Sequence, residues 1–82
     1  MKKHFVYMLK CADTSLYTGY TTDLTKRVRE HNESRRGARY TSGRRPVVLT
    51  YTEKFATVGE ALQREAAIKK LSRQAKLRLI AP

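Results

Sequence analysis

The sequence has 82 residues and only one cysteine, Cys11. A lone cysteine can form no internal disulfide and has no second cysteine with which to hold a metal, so Cys11, in a stretch of turn residues, reads as incidental. Long apolar runs are missing too. No segment approaches the ~20 consecutive apolar residues of a membrane span. The opening Met1-Lys2-Lys3-His4-Phe5 is charged, but the apolar stretch behind it stops at Lys10 and carries no small-residue cleavage site. It does not read as a signal peptide, and a cytoplasmic home is the expectation. There is no internal repeat, linker or low-complexity tract. Acidic residues are scarce, seven Asp and Glu against eighteen Lys and Arg, for a net charge of +11.

That imbalance is the first positive signal. A field of this sign steers polyanions and supplies sequence-independent affinity through counterion release, which points to nucleic acid. A solvated basic surface, a ribosomal association or a membrane surface would carry the same charge. Length limits the chain to one modest core, so residues 1–82 are expected to form a single domain. The 40% of hydrophobic residues fall in short periodic runs, enough for a thin layered fold and too many for a disordered tail.

His4 to Lys10 alternates Phe5, Tyr7 and Leu9 with Val6 and Met8, a strand expected to be buried on both faces. Cys11 to Ser15 is turn chemistry, and Leu16 to Thr21 reads as a second strand closing an antiparallel hairpin. Gly19 within it marks a bulge or a close backbone approach. Thr22 or Asp23 can cap a helix to about Asn32, with Leu24, Val28 and His31 along one face and Arg27 one turn before His31. Ser34 to Pro46 holds Gly37, Gly43 and five arginines and is expected to be an exposed loop. Val47 to Phe55 resumes strand character. Thr57 to Glu60 matches a capping box for a helix to about Leu71, and Ser72 can cap a last helix that buries Leu77 and Ile80. The order predicts an α+β fold, β-β-α-β-α-α, with helices flanking a small, three-stranded, mostly antiparallel sheet.

Two features break this pattern. At about 100° per residue, Glu65 falls among Val58, Ala61, Leu62 and Ile68, on the face that should pack against the sheet. A carboxylate there needs an arginine or lysine, or a hard divalent cation. Tyr7 and Tyr17 are the second feature. Strand tyrosines are most often packing, yet these two sit on one hairpin beside a glycine, in a chain with a helical His and Arg one turn apart. Phosphodiester cleavage needs a base for water, a cation over the developing charge and a metal near the leaving oxygen. Tyr, Arg, His and Glu fit those roles.

In this order the residues resemble a GIY-YIG nuclease domain. Phe5-Val6-Tyr7 stands for the first tripeptide of that family and Tyr17-Thr18-Gly19 for the second. Arg27-Val28-Arg29-Glu30-His31 is similar to its Arg-x-x-x-His helix, and Glu65, within Ala61 to Lys69, to its metal-binding glutamate. Size and the segment Gly37-Ala38-Arg39-Tyr40-Thr41 look most like the small stand-alone proteins grouped as UPF0213. The resemblance implies Tyr17 as general base or part of its relay, and Tyr7 as the group that positions or activates water. It implies Arg27 on the pentavalent phosphate, His31 on phosphate or in the relay, and Glu65 as ligand of one Mg2+ or Mn2+. Tyr40 would contact phosphate or a tyrosine, and Gly19 would avoid crowding the helix or substrate.

The sequence departs from the family at three points. Phe5 replaces the first glycine, Tyr20 stands where some relatives carry a lysine, and no late asparagine follows Lys70. A phenol of ordinary pKa near ~10 is a poor base at neutral pH, so metal-bound water or a nearby Lys or Arg has to compensate. The expectation is a divalent-metal-dependent endonuclease hydrolysing DNA, one strand per site, in repair or recombination, with no membrane partner and no small-molecule cofactor. Phosphate contacts are assigned to Arg35, Arg36, Arg39, Tyr40, Arg44, Arg45, Lys69 and Lys70. A binding module on the same fold without useful catalysis is the alternative, and an interaction domain for ribosomal or repair proteins a third. No base-reading element is visible, and no residue pattern specifies an oligomeric state.

Overall fold

The computed structural model describes residues 3–33 and 36–81, so the phosphate contact expected of Arg35 lies outside the described residues. The elements run β1 (His4–Lys10), β2 (Leu16–Thr21), α1 (Leu24–Glu33), α2 (Arg39–Ser42), β3 (Val48–Phe55), α3 (Val58–Lys69) and α4 (Arg73–Ile80). The sheet order is β2-β1-β3, and both pairings are antiparallel.

β1 lies between the other two strands, and Val6, Tyr7, Met8 and Leu9 are all buried. Successive side chains alternate between faces. Val6 and Met8 pack with Ala61 and Ile68 of α3, joined by Tyr20, Tyr51, Phe55, Leu71, Leu79 and Ile80. Tyr7 and Leu9 pack on the other side with Cys11 and Val47, and with Tyr17, Leu24 and Val28. A β-bulge interrupts the pairing with β3, because Met8 faces Tyr51 while Leu9 faces Leu49. The extra residue, Thr50, donates its hydroxyl to the Met8 carbonyl at 3.1 Å and so satisfies a ladder acceptor.

Helix starts follow the sequence signals. Asp23 accepts from the Lys26 amide at 3.1 Å, Thr57 from Glu60 at 3.2 Å and Ser72 from Ala75 at 3.1 Å. Three expectations are corrected. The segment after α1 is not simply an exposed loop, since α2 forms within it and Thr41 is fully buried. In α4 the docking residues are Leu79 and Ile80, whereas Leu77 is 42% exposed. In α3 only Ala61 and Ile68 of the expected apolar stripe are buried, and Val58 and Leu62 are about half exposed. A bidentate contact ties that helix to β3: Arg64 Nε lies 3.0 Å from one carboxylate oxygen of Glu53 and Nη2 lies 3.0 Å from the other.

Candidate active site

Tyr7 faces Gly19 directly across the hairpin and Leu9 faces Tyr17, so both tyrosines stand on the same face of the sheet. The Tyr7 ring leans across Gly19. A Cβ at Gly19 would lie 2.6 Å from Tyr7 Cζ, so the glycine is required by the tyrosine rather than by its own backbone. Cys11, buried below Tyr7 and Leu9, is a packing residue of this face.

α1 brings Leu24, Val28 and His31 to the same side, and His31 is completely buried. Gly37 then lets the following chain press on the helix: a Cβ there would meet the Glu30 carbonyl oxygen at 2.7 Å and His31 Cα at 2.8 Å. That approach delivers Ala38 and Thr41 to the histidine. The Tyr7 hydroxyl lies 2.8 Å from His31 Nε2, and Thr41 Oγ1 lies 2.8 Å from Nδ1. Thr41 Oγ1 is also 2.9 Å from the Ala38 carbonyl, and the Ala38 amide is 3.3 Å from Nδ1. Two further ties hold the arrangement. Asn32 bonds both the carbonyl and the amide of Val47, at 3.0 and 2.7 Å, and Arg45 Nε donates to the His31 carbonyl at 2.6 Å.

The rings form a continuous cluster of tilted and edge-on contacts running outward. Tyr17 is 6.4 Å from Tyr7, 5.1 Å from His31 and 5.8 Å from Tyr40 between centroids. The Arg44 guanidinium covers the Tyr40 ring at 4.0 Å, while its Nη1 donates to the Tyr40 carbonyl at 2.7 Å and its Nε pairs with Asp13 at 3.0 Å. Arg27 Nη1 bonds Glu30 at 3.1 Å and the Arg36 carbonyl at 2.7 Å, and the guanidinium lies beside the Tyr7 hydroxyl.

Burial dominates the electrostatics. It pushes the Tyr7 phenol up to about 12, with Arg27 opposing and the Tyr17 and Glu65 charges adding to the rise. Burial, with the Arg27 and Arg45 charges added, pushes His31 down to about 4 against a smaller opposing pull from Glu30. At neutral pH the pair is therefore a protonated phenol and a neutral imidazole.

Glu65 comes from the other layer, yet its carboxylate is near enough to Tyr7 to raise it. Its side chain is 18% exposed and pairs with Lys69 at 3.3 Å. No group of three or more His, Cys, Asp or Glu that could cage a metal occurs among the described residues. One carboxylate still suits Mg2+, which keeps most of its waters and takes one or two carboxylates together with substrate phosphate. The donor set fits the ion.

A sequence profile of the GIY-YIG catalytic domain matches residues 3–78. The chain belongs to the GIY-YIG family. Within it the chain belongs to the UPF0213 proteins, being 55% identical over 80 residues to the UPF0213 protein of Staphylococcus haemolyticus and 56% to that of Staphylococcus saprophyticus, each match covering 98% of this chain and 96% of the relative. The solution structure of the UPF0213 protein BH0048 from Bacillus halodurans is similar at a TM-score of 0.62 with 46% identity, covering 96% of this chain and 83% of that one. The solution structure of the protein EF2693 from E. faecalis is similar at a TM-score of 0.61 with 43% identity, covering 93% of this chain and 80% of that one. Membership in the GIY-YIG family suggests nuclease activity and implies a nucleic acid substrate. Among the described residues no helix is long and apolar enough to cross a membrane.

Set against this family pattern, Tyr7, Tyr17, Arg27, His31 and Tyr40 form one connected cluster, and Glu65 stands within electrostatic reach of it. The cations divide. Arg44 and Arg45 are braced against the protein and Lys69 pairs with Glu65; Arg36, Arg39, Lys69 and Lys70 are all exposed. Tyr20, at the position where some relatives have lysine, points to the apolar face and bonds His4 Nδ1 at 2.7 Å. Sequence reasoning missed Thr41 and Ala38 behind the histidine. The available signal was Gly37, which marks a close approach to α1.

Proposed function

We propose that the protein is a divalent-metal-dependent endonuclease that hydrolyses phosphodiester bonds in DNA, one strand per site, with a single Mg2+ or Mn2+ held by Glu65. What supports this reading most is the meeting of Tyr7, Tyr17, Arg27 and His31 from three successive elements, with Glu65 of the distant α3 close by. Packing alone has no need of that set together. A net charge of +11 supplies the attraction for the phosphate backbone.

In this mechanism Tyr17, half-buried at the open side of the ring cluster, is the general base or part of its relay: it takes the proton of the attacking water as its own hydroxyl proton leaves to solvent. Tyr7 remains protonated at neutral pH and holds that water through its oxygen. His31 has both ring nitrogens engaged inside the protein, so its part is to act through Tyr7 and not on phosphate. Arg27, fixed beside Tyr7 by Glu30 and the Arg36 carbonyl, faces the charge that develops on the phosphate oxygens. When bound, the metal would supply Lewis-acid stabilisation of the leaving oxygen. Arg36, Arg39, Lys69 and Lys70 guide the backbone, and Arg44 and Arg45 chiefly brace Tyr40 and His31. Repair or recombination in the cytoplasm is the setting this reading implies.

A binding module without catalysis draws support from one observation, the Lys69 pairing that already neutralises Glu65. Nicking of supercoiled DNA separates the two readings. The protein should nick with Mg2+ or Mn2+, and Glu65→Ala should abolish nicking with DNA affinity largely retained. Equal nicking by wild type and variant would sink the catalytic reading.

A further inference from the structure

We infer that Thr41 is a positioning residue of this site: it holds the His31 ring with the proton on Nδ1, so that Nε2 accepts the Tyr7 proton and the Tyr7 oxygen is left accepting toward substrate water. Thr41 Oγ1 carries one proton and has two close partners, His31 Nδ1 at 2.8 Å and the Ala38 carbonyl at 2.9 Å. A carbonyl oxygen only accepts, so a hydroxyl proton directed to Ala38, whose carbonyl also takes the Thr41 and Ser42 amides at 3.1 and 3.2 Å, leaves Nδ1 as the donor to Thr41.

The Arg27 charge at the other end of the chain favours the same tautomer. Tyr7 lies between His31 Nε2 and the Arg27 guanidinium. A positive charge beside the phenol favours the oxygen lone pairs on its side, which leaves the Tyr7 proton directed to Nε2 at 2.8 Å. Only one tautomer meets both conditions. The Ala38 amide, 3.3 Å from Nδ1, favours the opposite one, and it is the longest contact of the group. Without the threonine hydroxyl that amide becomes the nearest partner of Nδ1, and the preference reverses.

Burial makes the choice consequential. His31 and Thr41 are both 0% exposed, so no solvent reaches the His31 ring nitrogens to supply a missing donor or acceptor. In the reversed tautomer Nε2–H donates to Tyr7, its oxygen loses a lone pair to the interior, and its own proton turns toward the substrate. An acceptor for water would become a donor.

The test is the nitrogen NMR spectrum of His31, assigned against His31→Gln in a protein with only two histidines. Wild type is expected to show a protonated Nδ1 and an unprotonated Nε2; the opposite pattern overturns the inference. Thr41→Val should switch the pattern and Thr41→Ser should restore it, and a Val variant that keeps the wild-type pattern also overturns it. Should Thr41→Val not fold, the wild-type and Thr41→Ser spectra still decide. The kinetic consequence rests on the nuclease reading: in Thr41→Val, kcat for nicking falls on the order of a hundredfold while KM for DNA is unchanged. A switched tautomer with unchanged kcat refutes the positioning role. A wild type that never nicks refutes the nuclease reading and leaves the tautomer result standing.

Discussion

On one side of the sheet Val6 and Met8 meet Ala61 and Ile68 in an apolar contact, and on the other Tyr7 and Leu9 meet Leu24 and Val28 together with a histidine and a threonine that water does not reach. Both faces are built by alternate residues of β1. The first gains its stability from area and shape, and any apolar residue of similar volume would serve. The second depends on donors and acceptors being matched, since a buried polar group without its partner costs about 1–3 kcal/mol. The chain thus keeps a tolerant scaffold and an exacting site within one strand's thickness of each other.

The sharpest way to separate the faces is to cut each where it is deepest. Ile68→Ala removes a fully buried side chain from the scaffold and should cost about 2–5 kcal/mol in urea unfolding. It should leave the pH dependence of stability unchanged. His31 governs that dependence on the other face. Its folded-state value of about 4 lies below the ordinary 6.5, so between these values the unfolded chain binds a proton that the folded protein does not. Stability is therefore full above pH 6.5 and falls as the pH drops toward 4, by on the order of 3 kcal/mol in all. Glu53 and Asp13, both held below ordinary carboxylate values by their partners, contribute to losses below that window. Unfolding at pH 7 and pH 4.5 should show the loss in wild type and little of it in His31→Gln.

The two faces also differed in how much of them the sequence revealed. Alternation in residues 4–10 gave the doubly buried strand, and the spacing of Leu24, Val28 and His31 gave the helix that covers Tyr7, because periodicity records directly which side chains share a face. Thr41 escaped. Its burial follows from Gly37 pressing on α1, a contact between segments that leaves no periodic trace in a stretch rich in arginine. The misreading of Val58 and Leu62 has a related cause: periodicity gives the stripe of a short amphipathic helix but not its rotation on the sheet, where Arg64 of α3 pairs with Glu53 of β3. Glu65 stood out because a carboxylate beside Ala61 and Ile68 violates the pattern, and such violations are where function is most legible.

The smallest expected effect comes from the same substitution made at two threonines. Thr18, on β2, is 4% exposed, and its hydroxyl has no hydrogen-bond partner among the described residues. It pairs across the hairpin with Met8, and so belongs to the scaffold face. Valine has nearly the same shape and suits a strand, so Thr18→Val removes an unsatisfied group without opening a cavity and should stabilise the protein by about 1 kcal/mol. Thr41→Val should do the reverse, because there the hydroxyl has partners at 2.8 and 2.9 Å that would lose it. Equal urea midpoints for the two variants would mean that the faces are not distinguished by polar matching. Opposite shifts would tie that distinction to the hydroxyl alone, since volume, branching and burial are nearly the same at both positions.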